Sequence, residues 1–180
     1  VLYISALFTF AGGLSGKNPF VCMKNQIPGY FTALGTQSSA ATIPINLECA
    51  RRNGTSPEIR EFVVPLCATI HLAGSIITIT SCVITVLMMN NMPYGISTIF
   101  PFILVLGVAM VAAPGAPGGA IMSALPFLGM VGIASNSPLA SLLIALYITQ
   151  DSFGTAANVS GDNAITIMVD WIYHKFIKNK

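Results

Sequence analysis

The chain has 180 residues, of which 54% are hydrophobic and 8% charged, with a formal net charge of +2; ordinary soluble domains are about 45–50% apolar and about 25% charged. A mean hydropathy of +0.76 and a run from Phe62 to Gln150 without one Asp, Glu, Lys or Arg exclude a soluble fold, because a spanning helix needs only about 20 apolar residues. The small charge, with no basic patch, excludes nucleic acid as a partner.

The chain opens on VLYISALFTF, with neither an initiator Met nor the charged start of a signal peptide. We read residues 1–18 as the end of a transmembrane helix and a loop, and expect further spans upstream in a longer protein. Residues 19–53 are moderately apolar but interrupted by the hydroxyl-rich GTQSSAATIP, and cations flank them on both sides: Lys17 and Lys24 before, Arg51 and Arg52 after. A helix that enters the membrane, turns at a small-residue tip and returns to the same side produces that pattern, so the segment is expected to be a re-entrant hairpin. Residues 57–90 are long enough to span, but TIHLAGS places a His, a Gly and two hydroxyls near the middle, and Gly weakens a helix by about 1 kcal/mol relative to Ala. A broken transmembrane helix is expected there. Residues 95–134 form two apolar arms around AAPGAPGGAIM, where Pro and Gly interrupt the helix; this predicts a second re-entrant hairpin. Residues 138–170 predict a last transmembrane helix, turning polar at QDSFGTAANVSGD, and residues 171–180 a basic cytoplasmic tail.

Counting crossings brings Lys175, Lys178 and Lys180 to the side of Lys17, Arg51 and Arg52, as the excess of cations in cytoplasmic loops requires. The expected fold is therefore an all-α membrane protein: two inverted units, each a re-entrant helical hairpin plus a partly broken transmembrane helix, with a transport core over residues 19–170. Interrupted helices near the midplane expose backbone groups that hold substrate and ions in secondary transporters.

Asp151 is the first formal charge after Glu61 and lies inside an apolar span, where a carboxylate costs at least about 2.5–3.5 kcal/mol. Thr155, Asn158 and Asp162 follow at helical spacing on the same face. This stripe offers oxygen ligands to a hard cation and a counter-charge to a substrate amine; its alternative is a helix interface glued by polar side chains. Ser38, Ser39 and Thr42 at the first tip offer hydroxyls and free backbone N–H groups to a carboxylate, or else a packing surface. His71 is a proton carrier, an ion ligand or a hydrogen-bonded packing residue. Pro114–Gly115 and Pro117–Gly118 suit a flexible gate or a rigid kink. Cys22, Cys49, Cys67 and Cys82 lack metal-site spacing and read as buried free thiols. No hydrolase nucleophile with its base, Walker loop or zinc motif occurs, so an enzyme is disfavoured and no prosthetic cofactor is expected.

Taken together, TQSSAATIP in a hairpin, a broken span with a small-residue kink, PGAPGGAIM and QDSFGTAANVSGD resemble the dicarboxylate/amino acid:cation symporter family, the glutamate-transporter-like carriers, over about residues 5–170. The resemblance implies the C-terminal transport core of a homotrimeric carrier whose scaffold helices lie outside this chain. It implies that Asp151 binds a substrate amine and that Asn158 helps bind its carboxylate. Ser38, Ser39 and Thr155 line the substrate site, Asn158 and Asp162 act as sodium ligands, and the PGAPGG tip with Pro114, Gly115, Pro117 and Gly118 is the extracellular gate. Members that carry acidic amino acids have an Arg three positions after the aspartate, where this chain has Gly154. A second substrate carboxylate would then be buried unpaired, so acidic substrates are not expected, and Gly154→Arg is expected to admit them. His71-Leu72-Ala73-Gly74-Ser75 stands where sodium-coupled members read Asn-Met-Asp-Gly-Thr, which removes two cation ligands.

The expected function is a symporter in a bacterial inner membrane, driven by sodium or by protons. It would take up a small neutral amino acid or related carboxylate from a lipid-embedded site. The alternatives are a dicarboxylate:cation symporter for substrates without an amine, and a non-transporting membrane channel or assembly subunit.

Overall fold

The computed structural model describes residues 1–178, so Lys180 of the predicted tail lies outside the described residues. Eight α-helices follow one another: α1 Leu2–Ser15, α2 Pro19–Thr36, α3 Ser39–Arg52, α4 Pro57–Ile70, α5 Ala73–Met89, α6 Ile96–Ala109, α7 Gly119–Ala124 and α8 Pro138–Ile172. Short 3₁₀ turns extend α6 over Met110–Ala112 and α7 over Leu125–Val131, and a π turn, Tyr173–Ile177, ends α8.

Local chemistry sets these boundaries. Asn18 caps α2 by accepting from the N–H groups of Phe20 and Val21, with Pro19 in the first turn, where a missing N–H costs nothing. The helix stops at Gln37, whose left-handed φ of 53° turns the chain back, and Ser38 caps α3 by accepting from Ala41. Only Gln37 and Ser38 separate α2 from α3, and the two helices pack together. Arg51 and Arg52 close α3, favourable at the negative end of a helix dipole. Ser56 and Pro57 start α4. Between α4 and α5, His71 and Leu72 leave helical geometry, with φ −110° and −118°. Ser137 and Pro138 start α8, whose 35 residues extend about 50 Å at 1.5 Å per residue.

α8 is the axis on which α1 to α5 pack. Its first half joins α5, α6 and the α7 region in one apolar cluster around Ile79, Leu87, Phe102, Leu128, Leu143 and Tyr147, all sealed from solvent. Its second half is fastened to α2 and α3 by a buried chain of amides. Asn163 donates to Gln26 at 2.6 Å, Gln26 to Asn46 at 2.9 Å, and Asn46 to the Val159 carbonyl at 3.0 Å. At one end of the molecule Lys17 donates to the Gly54 carbonyl at 3.0 Å, Asp170 accepts from the Ser56 N–H at 2.9 Å, and Lys178 pairs with Glu58 at 3.3 Å.

The second apolar arm departs from a regular hairpin arm. After Pro114 and Pro117 only six residues are α-helical, and a 3₁₀ stretch carries the rest, because Pro126 and Gly129 interrupt the α ladder. Pro57–Met89, taken through its break, is long and apolar enough to cross a membrane.

Candidate functional site

One face of α8 carries Tyr147, Asp151, Thr155, Asn158 and Asp162, all buried. A carboxylate out of water must be hydrogen-bonded or paired, and both aspartates are, though by different partners.

Asp151 is 4% exposed. Its Oδ1 accepts from the Tyr147 hydroxyl at 2.7 Å and from Thr155 Oγ1 at 3.4 Å, and its Oδ2 accepts from the backbone N–H of Gly118 at 2.8 Å. Gly118 has φ +73°, a left-handed conformation that only glycine reaches without cost. That conformation turns the amide of the second tip toward the carboxylate. The same tip touches the first one: the Gly115 carbonyl accepts from Ser38 Oγ at 2.8 Å and from the Ala40 N–H at 3.2 Å. Between the tips and α8 lies a cavity of about 10 Å³, room for about one water molecule, whose lining includes Gln37, Ser39, Ser75, Pro114, Asp151 and Thr155. Among the described residues Asp151 is the one ionisable side chain in that lining.

Asn158 is engaged elsewhere. Helix α5 has no capping side chain of its own, which leaves its first N–H groups without partners. Asn158 Oδ1 accepts from the N–H of Gly74 at 2.7 Å and of Ser75 at 3.3 Å, while its Nδ2 donates to Ser75 Oγ at 2.9 Å. The amide thus caps α5 from across the helix interface.

Asp162, 1% exposed, stands in a third environment. Its Oδ1 meets His71 Nδ1 at 2.8 Å, and His71 Nε2 meets the Tyr3 hydroxyl at 2.8 Å. The other oxygen, Oδ2, is buried without a hydrogen-bond partner.

The sequence-predicted residues therefore separate into three places. Asp151, Thr155, Ser39, Pro114 and Gly115 surround the cavity; Ser38 and Gly118 make the tip contacts, with Pro117 in the same turn. Asn158 holds the start of α5, and His71 with Asp162 forms a cluster against α1. Tyr147, Ser75 and Gln37 were missed. Tyr147 lies four residues before Asp151, hence one turn earlier on the same face, and that spacing was the available signal. Ser75 and Gln37 sit beside a helix break and a turn, where sequence gives no facing direction.

One helix, Pro57–Met89, is long and apolar enough to cross a membrane, the second tip meets a buried carboxylate of α8, and large apolar side chains are turned outward, features that suit a membrane protein built around a small polar cavity. Residues 1–172 match the model of the sodium:dicarboxylate symporter family. The chain belongs to that family, a family of transporters and of membrane proteins. It is 30% identical over 165 residues to excitatory amino acid transporter 1 of Rattus norvegicus, covering 91% of this chain and 30% of the relative. It is 33% identical over 162 residues to the serine/threonine transporter SstT of Acinetobacter baylyi, covering 86% of this chain and 39% of that protein. A second SstT, from Acinetobacter baumannii, is 33% identical over 153 residues, covering 84% and 38%. The chain thus spans about a third of the length of these relatives.

Proposed function

We propose that residues 19–170 are the transport core of a cation-coupled symporter that takes up a small neutral amino acid by alternating access. The observation that carries this reading is Asp151: a lone carboxylate in the cavity lining, with one oxygen accepting from a backbone N–H of the second tip. A substrate ammonium group is the natural replacement for that donor, since it brings both a hydrogen bond and the missing positive charge. The substrate carboxylate goes to the first tip, where Ser39 lies in the cavity wall at the N-terminus of α3 and a helix start favours an anion. Among the described residues no cation lines the cavity to receive a second carboxylate, which argues against acidic amino acids and dicarboxylates. The relatives named serine/threonine transporter fit a cargo of that size and charge.

The coupling cation, sodium in this reading, binds at Asp162. Its Oδ2 lacks a donor, while Oδ1 stays with His71; Asn158 would have to leave α5 to join it. The two helical pairs around the tips are the re-entrant hairpins, 19–53 and 95–134, of two inverted units. The second hairpin, through Pro114, Gly115, Pro117 and Gly118, is the gate that closes over cargo. The end carrying Lys17, Arg51, Arg52 and Lys178 faces the cytoplasm, consistent with cation-rich cytoplasmic loops. In the whole protein the core works within a homotrimer in a bacterial inner membrane.

The test is uptake by Asp151→Asn in proteoliposomes. Asn keeps the shape and an acceptor for Tyr147, so the fold persists, and uptake of amine-bearing substrates is expected to vanish. Normal uptake by this variant would remove the amine role, and passive conductance without accumulation would favour a channel.

A further inference from the structure

We propose that Tyr147 is a positioning residue for the amine site: its hydroxyl fixes Asp151 so that Oδ2, and not Oδ1, meets the cargo. The inference rests on the reading of Asp151 given above. Tyr147 is fully sealed from solvent and its ring belongs to the apolar cluster between α5, α6, the second arm and α8. A phenol in such surroundings is held by packing on all sides, and its one polar atom needs a partner. The partner is Asp151 Oδ1, at 2.7 Å.

The two oxygens of Asp151 are thereby made unequal. Oδ1 is bonded within α8, to Tyr147 one turn before it and at longer range to Thr155 one turn after it, and these partners stay when the tips move. Oδ2 is bonded to Gly118 of the second tip, a segment that must part from α8 for anything to enter. Loss of the Gly118 contact therefore exposes one defined lone-pair direction, already oriented before the cargo arrives. Without the phenolic hydroxyl the carboxylate would keep only the long Thr155 contact at Oδ1. Rotation about χ2 would then be free, and part of the binding free energy would go into freezing it.

The role of the hydroxyl is separable from that of the ring. Tyr147→Phe keeps the ring in its cluster and deletes the oxygen alone. With L-serine as probe in proteoliposomes under a sodium gradient, Tyr147→Phe is expected to raise KM about tenfold. Maximal rate per folded transporter should stay within twofold, because the defect lies in seating the amine. Asp151→Asn measured beside it is expected to be inactive, and the Tyr147→Phe variant is expected to melt within a few degrees of the parent. A KM unchanged by Tyr147→Phe, with Asp151→Asn inactive, would overturn the positioning role and leave the amine reading standing. A fall in maximal rate with KM unchanged would likewise overturn it, marking the hydroxyl as part of the fold only. Asp151→Asn with normal L-serine uptake would overturn both this inference and the reading on which it rests.

Discussion

At Gly154 a side chain would press on α5. A Cβ there would stand 2.9 Å from Thr78 Oγ1 and 3.4 Å from both the Gly74 carbonyl and the Ser75 Cα. The place where acidic-substrate members of the family carry an arginine is therefore a close helix contact in this chain, and Gly74 mirrors it: a Cβ at 74 would lie 2.3 Å from the Gly154 carbonyl. By resemblance to the family, Gly154 is an absent charge and Gly154→Arg is expected to admit acidic cargo. The packing instead predicts that this variant forces α5 from α8 and loses more than the about 1–3 kcal/mol usual for overpacking, visible as a large drop in the thermal midpoint. A well-folded Gly154→Arg that takes up glutamate would vindicate the sequence expectation. Gly161 is constrained in the same way by His71, whose Cε1 would be 2.4 Å from an added Cβ. Gly161→Ala is expected to push the imidazole off Asp162 and leave a buried carboxylate without its donor, a cost of at least about 1–3 kcal/mol. The melting curve checks it, and an unchanged midpoint would mean that the ring moves aside freely.

Helix α8 is held by two unlike materials along its length, apolar packing toward its start and the amide chain of Gln26, Asn46 and Asn163 toward its end. Removing one member of the chain strands the others, so Asn163→Ala should destabilise by about 1–3 kcal/mol. Replacing Gln26, Asn46 and Asn163 together by apolar residues of similar volume should cost less than the sum of the single losses. Denaturation of the single and triple variants reads out the difference, and strict additivity would mean that the amides act independently. At the exposed end of α3, Arg51 and Arg52 hydrogen-bond Glu48 and hold its carboxyl down at about 2. A depressed carboxyl stabilises the fold above its unfolded value of about 4.3 and loses that contribution as the pH falls toward 2. Because the group is fully exposed, the effect should be small and erased by salt; comparing Glu48→Gln with the parent between pH 6 and 2 tests the sign.

The helix break at His71 and the turn at residues 37–38 fall within the stretches 69–75 and 35–44 that the sequence marks, and the polar face of α8 was legible too, because Gly, Pro, hydroxyls and charges are conspicuous in an apolar chain. The partners of those residues were not. Nothing in the order of residues says that Asn158 caps α5, that Tyr3 reaches His71, or that a backbone amide occupies Asp151, since these contacts join segments distant in sequence and depend on how helices cross. For the whole molecule, large apolar side chains stay outside: Phe20 is 77% exposed, Ile96 86% and Val108 76%. Patches of this kind mark surfaces covered by lipid or by other protein. The purified protein should therefore aggregate on detergent removal and recover in lipid, and monodispersity in plain buffer would contradict a membrane setting.

The second tip is held through its own main-chain atoms: the carbonyl of Gly115 ties it to the first tip and the N–H of Gly118 ties it to Asp151 on α8. Such ties are blind to the genetic alphabet. The exposed side chain at Ala116 can drift over evolution without loosening them, whereas changes at Gly118 alter the path of the backbone itself. A saturation library across residues 113–118 should accordingly show tolerance at Ala116 and a sharp loss at Gly118, with Ala113 restricted by its place in the apolar cluster. Only a chemical edit of the peptide bond, amide to ester at Gly118, would sever the Asp151 tie while leaving every side chain in place.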